Sequence, residues 1–139
     1  MEIQLYLKQI RKLDRDIDAD ESIIQKLKAE ELKCTSQLSD IPRGTSNTDK
    51  KKISDAKMDL ENTVRESKLK HLIMRNNALK MIDRLDDPGM RAIIKQYYIN
   101  GLTWEQTAVV VKYSWKQMHR IHKRALNVLN KNMTLNDIE

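Results

Sequence analysis

Lys116, His119, Arg120 and Lys123 stand at i, i+3, i+4 and i+7, which puts four basic or titratable side chains on one stripe of a helix. Trp115 and Gln117 begin the same segment, Lys112 and Arg124 flank it, and no acid occurs between Lys112 and Arg124. These residue types do not form a reaction centre. They form a set of donors: a guanidinium forks onto two acceptors, a carboxamide pairs a donor with an acceptor, and ammonium groups hold phosphates as point charges. Such a stripe suits a polyanion that also displays a pattern of hydrogen-bonding edges. A helical charge run is more often only a solvated face, so the elements that carry it have to decide between the two.

Those elements are well punctuated. Thr103 with Gln106, and Ser114 with Gln117, both have capping-box spacing, and Tyr113 and Met118 are placed to staple the second start. The first helix then runs from 104 to about 111, before a Lys112–Tyr113 turn, and the second from 114 to about 129, a helix-turn-helix. Asp87–Pro88 reads as N-cap and first helical position of a preceding helix over 88–100, which Gly101 ends in left-handed geometry. By period, Ala108 and Val111 face Met118, Ile121 and Ala125, with Ile93, Ile94, Tyr97, Leu126 and Leu129 closing the core. The face left over carries Trp115, Lys116, His119, Arg120 and Lys123.

The residues Thr103, Glu105, Gln106, Thr107, Ala108, Ser114, Met118, Ile121, Ala125 and Leu126 align without a gap to the C-terminal helix-turn-helix of bacterial sigma factors (region 4), which this segment resembles. Two positions depart from that pattern. Thr107 stands where it prefers Ile, and Lys112 where it prefers Gly, a replacement that costs about 1 kcal/mol if the turn needs positive φ. The whole chain, a long helical N-terminal half followed by IIKQYYINGLTWEQTA and the basic helix, is similar to small phage regulators of the ArpU and RinA type. The resemblance implies a sequence-specific, double-stranded DNA-binding transcription regulator of late phage genes in the bacterial cytoplasm. Host RNA polymerase as a further partner rests on the resemblance alone. It also implies roles: Trp115, Lys116, Gln117, His119 and Arg120 on the groove-facing part of the recognition helix, and Lys123, Arg124 and Lys112 on phosphates. Amides at Thr103–Glu105 and Ser114–Lys116 are placed to hold phosphates as well.

In the N-terminal half, Ile3, Tyr6, Ile10, Leu13, Ile17, Asp20, Ile24 and Leu27 follow alternating steps of three and four, the seam of a helix over about 2–33 that pairs with another helix. A second seam, Ile53, Leu60, Val64, Met74, Ala78, Met81 and Leu85, has Lys57, Ser67 and His71 as polar interruptions. Between them Ser36–Asp49 holds Pro42, Gly44 and short polar residues, which is loop chemistry. The expected fold is all-α: a long antiparallel coiled-coil hairpin over 1–85 with its loop at about 36–49, a helix-turn-helix domain over 86–132, and a tail over 133–139. The same seams serve equally to pair two chains, so a homodimer through the long helices stays open beside the intrachain hairpin.

Composition agrees and excludes. Of 139 residues, 26 are Lys or Arg and 20 Asp or Glu, giving a net charge of +6, which favours polyanionic partners. Three glycines, two prolines and no phenylalanine disfavour a β-rich fold. Cys34 is the single cysteine, so no intrachain disulfide forms, and no histidine lies near it to make a metal site or nucleophile. His119 and His122 share a helix face without a third ligand nearby, so no metal and no cofactor is expected. No Gly-rich phosphate loop or nucleophile–base pattern occurs, which points away from an enzyme. No signal peptide and no membrane span is read. Two other function classes fit the same elements: a small terminase-like DNA-packaging recognition subunit, which a ring of eight or more subunits would mark, and a helical module that grips an acidic protein.

Overall fold

The computed structural model describes residues 3–37 and 46–138, with the side chains of 3–34 and 49–133. Helix α1 spans Ile3–Gln37, α2 Ser46–Ile82, α3 Pro88–Ile94 running on into a π-helical turn Lys95–Ile99, α4 Trp104–Val111 and α5 Trp115–Ile138. The protein is all-α, with no strand among the described residues. The middle of the expected 36–49 loop lies outside those residues, while α1 persists through Gln37 and α2 is under way at Ser46.

Both seams are used. Ile3, Ile10, Ile17 and Ile24 of α1 and Val64 and Ala78 of α2 are buried, with Leu85 buried just beyond the end of α2. The polar members Lys57 and His71 lie on that face and are met differently. Lys57 Nζ donates to Glu31 Oε2 at 2.6 Å, a bond that holds the ammonium above its ordinary pKa, and Lys68 pairs with Glu21. As numbers fall along α1 they rise along α2 in these pairs, the antiparallel order expected of a hairpin. His71 is buried, with Nε2 3.9 Å from Asp14 Oδ1 and no hydrogen-bond partner, so it interrupts the seam without a compensating bond.

The chain divides into two compact units, one formed by residues 15–70 and the other by 1–14 with 71–139. That line differs from the boundary at 85/86 that periodicity suggests. In the second unit Ile3, Leu7 and Ile10 of α1, Ala78 and Ile82 of α2, and Leu85 share one core with Ile94, Tyr98, Ala125, Leu126 and Leu129. The start of α1 is tied to α5 as well, since the Ile3 amide donates to Asn130 Oδ1 at 2.9 Å, capping a helix-start donor that has no intrahelical partner.

Helix α3 starts as the sequence predicts, with Asp87 Oδ1 accepting from the Gly89 amide at 2.8 Å and Pro88 at the first turn. Its end departs from an ordinary helix. The Asn100 amide reaches back to the Lys95 carbonyl at 2.9 Å and the Leu102 amide to Gln96 at 3.1 Å, with Gly101 at φ +75°. The Tyr97 carbonyl in this turn and the Leu102 carbonyl just beyond it both meet buried Arg11 of α1, whose Nη1 donates to Tyr97 O at 2.7 Å and Leu102 O at 2.9 Å. A cation at a helix C-terminus also matches the negative end of the helix dipole.

Helix α5 is longer than predicted. It runs to Ile138 where the sequence reading stops it near Leu129 and assigns 133–139 to a tail. No Gly or Pro interrupts residues 130–138, and burial of Leu129 and partial burial of Met133 against the core extend the apolar face by another turn.

Candidate nucleic-acid interface

The first helix of the pair is capped as its sequence requires. Thr103 Oγ1 accepts from the Gln106 amide at 3.1 Å, and the Gln106 side chain accepts from the Thr103 amide at 3.0 Å. At the second start, Ser114 Oγ accepts from the Gln117 amide at 3.2 Å, and the Gln117 side-chain oxygen lies 3.4 Å from that hydroxyl. Between them Lys112 adopts the left-handed conformation, φ 62° and ψ 31°. The turn therefore keeps the geometry for which glycine is suited, with lysine in it. Lys112→Gly is expected to stabilise the protein by roughly 0.5–1 kcal/mol, the relieved strain exceeding the unfolded-state freedom that glycine adds. A higher urea midpoint at unchanged slope checks this; a lower midpoint would mean the lysine side chain contributes more than its backbone costs.

Tyr113 fixes the turn against α3, because a Cβ on Gly89 would lie 2.5 Å from its hydroxyl. Only glycine lets the tyrosine approach so closely. Inside the pair, Met118 and Ala125 are buried as period predicts, but Ala108, Val111 and Ile121 are only partly buried. Two further positions that period does not mark are equally enclosed, to within 1% exposure. Thr107 is fully buried with no partner for its hydroxyl, at the position where the sigma-like pattern prefers Ile. Tyr98, not Tyr97, fills the core at 1% exposure.

His122 is buried too, its Nε2 sharing a 2.8 Å hydrogen bond with the Tyr98 hydroxyl. Burial, reinforced by His119 and Lys8, pushes the imidazole down from 6.5 to about 4, and burial raises the Tyr98 hydroxyl to about 12. The pair is thus neutral at pH 7. An unfolded chain binds the His122 proton near pH 6.5 and the folded one near 4, so this stability is present above about pH 6.5 and lost as pH falls through about 4. The melting temperature is expected to fall between pH 7 and pH 4 more steeply in the parent than in His122→Leu, and equal slopes would remove His122 from that role.

The outer face of α5 carries the predicted stripe. Lys116, Gln117, Arg120, Lys123 and Arg124 are exposed, as are Lys112, Thr103 and Ser114 at the helix starts, and Trp115 is 53% exposed. His119 differs from expectation. It is only partly exposed, its ring 4.8 Å from Trp104 and 4.7 Å from Trp115. The two tryptophans draw it toward the protein, where its ring gains packing. It forms one rung of a ladder: the Arg11 guanidinium lies 4.1 Å over the Tyr97 ring, Tyr97 stacks on Trp104 at 3.6 Å, and Trp104 meets both His119 and His122.

Arg11, Trp104 and His122 are the residues that sequence reasoning missed here. One signal was available for His122, which lies on the steps of four and three that join Met118, Ala125 and Leu129. None was available for Arg11, because its carbonyl partners are 86 and 91 residues away. No helix among the described residues is long and apolar enough to cross a membrane. Compared with protein-family models, curated proteins and solved structures, the chain matches none.

Proposed function

We propose that the chain is a sequence-specific, double-stranded DNA-binding transcription regulator, phage-encoded, acting on late genes in the bacterial cytoplasm. The observation that carries the DNA reading is the exposed stripe Lys116, Arg120, Lys123 and Arg124 on the second of two capped helices joined by a tight left-handed turn. A helix of this diameter fits the major groove, where base edges distinguish all four base pairs. Arg120 is the residue best suited to a bidentate guanine contact and Gln117 to adenine. Lys112, Lys123 and Arg124 are placed for phosphates, with the amides after Thr103 and Ser114 adding backbone donors. The phage and late-gene parts of the reading, and contact with host RNA polymerase, rest on the sequence resemblance.

The test is selection from a random duplex pool at two salt concentrations, with a Lys116/Arg120 double-alanine variant alongside. An enriched motif that the variant loses supports the reading, and palindromy would report a two-fold dimer. Binding that is absent, or equal for both proteins, refutes it. In that event the protein-interaction module is the better reading, favoured by Val109, which is 77% exposed, and by exposed Val110 on α4.

A further inference from the structure

Trp115 is a large aromatic ring left beside the exposed basic stripe of α5. It is 53% exposed at the first turn of α5, beside Lys116 and about a turn and a half before Arg120, and no acid lies between Lys112 and Arg124. Exposed apolar surface in such a setting has a narrow choice of occupants. An ordinary apolar protein patch gains nothing from the surrounding cations, whereas duplex DNA brings the matching phosphates and one apolar group of its own in the major groove, the thymine 5-methyl. The first residues of a recognition helix are those that reach base edges.

The ring is also held in place. His119 meets it edge-on at 4.7 Å and 65°, and His119 is itself backed by Trp104, which stacks on Tyr97, the ring beneath the Arg11 guanidinium. A side chain positioned before binding loses little rotamer freedom when it binds, so burial of even one methyl group is retained in the affinity. We infer that Trp115 reads the 5-methyl group of one thymine in the bound site, with His119 and Trp104 as positioning residues. This rests on the DNA-binding reading above and adds a base preference to it.

The test uses the full chain and the duplex enriched by selection, with each thymine of the site replaced in turn by deoxyuridine, which removes the methyl group and leaves the hydrogen-bonding edge intact. Affinity by fluorescence anisotropy is expected to drop about fourfold at one thymine, the size set by burial of one methyl group. Trp115→Ala, checked for an unchanged cooperative melt, is expected to bind the thymine and deoxyuridine duplexes equally at that position. Two results overturn the inference while leaving DNA reading intact: an enriched duplex in which no thymine is sensitive to the replacement, which needs no variant, or a fourfold loss that persists in Trp115→Ala. If no duplex is enriched, the DNA reading has failed and the inference falls with it.

Discussion

A fragment beginning at Asp86 and running to the C-terminus is expected to show no cooperative thermal transition, although it contains every capping signal of the helix-turn-helix. Six of the eleven residues in its core cluster, Ile3, Leu7, Ile10, Ala78, Ile82 and Leu85, lie outside the fragment, so it would expose the faces of α3 and α5 that they cover. Each large apolar side chain among them contributes about 1.5–3 kcal/mol when buried, and the whole stability of a domain is about 5–15 kcal/mol. Loss of several at once exceeds what remains. Arg11 goes with them, leaving the Tyr97 and Leu102 carbonyls without their donor. In the full chain, Leu7→Ala should cost about 2–5 kcal/mol through lost burial and the cavity left behind. Circular dichroism melting and urea unfolding measure both effects. A cooperative melt of the fragment would mean that α1 is an accessory arm, and a Leu7→Ala cost below about 1 kcal/mol would point the same way.

Arg120→Ala and Lys123→Ala are expected to weaken DNA binding in different ways, although the two residues lie one turn apart on α5 and are both exposed. Arg120 carries a planar fork that matches two acceptors on guanine, so its loss should cost roughly 1–3 kcal/mol on the selected site and relax preference at one base position. Lys123, an ammonium point charge, should lose affinity about equally on selected and random duplexes and lower the salt slope by about one unit. Titrations of each variant at several salt concentrations against both duplexes separate the outcomes. Equal losses on selected and random DNA for Arg120→Ala would remove it as a base reader. An unchanged salt slope for Lys123→Ala would remove the assigned phosphate contact.

The sequence by itself determined what depends on neighbours along the chain. The N-caps at Asp87 and Thr103, the left-handed end at Gly101, the turn at Lys112–Tyr113 and the heptad seams of α1 and α2 all follow from interactions within a few residues, and each is found where spacing puts it, whereas the left-handed backbone of Lys112 itself is a finding of the structure. The exposed stripe on α5 is legible for the same reason, because the apolar face of a helix fixes which side chains remain outside. Tertiary structure alone decided what depends on distant partners. Arg11 is a charged residue beside the apolar seam, and nothing local marks it as buried until the widened end of α3 presents two carbonyls to it. His119 carries the same spacing as Lys116 and Arg120, yet the rings of Trp104 and Trp115 turn it inward. The domain boundary belongs to this second class. Periodicity ends a segment at Leu85, but a core is a set of surfaces that cover one another, and those covering α3 and α5 come from the first and the seventies-to-eighties residues of the chain. Sequence period reports which face of a helix is apolar; only folding determines which other face it meets.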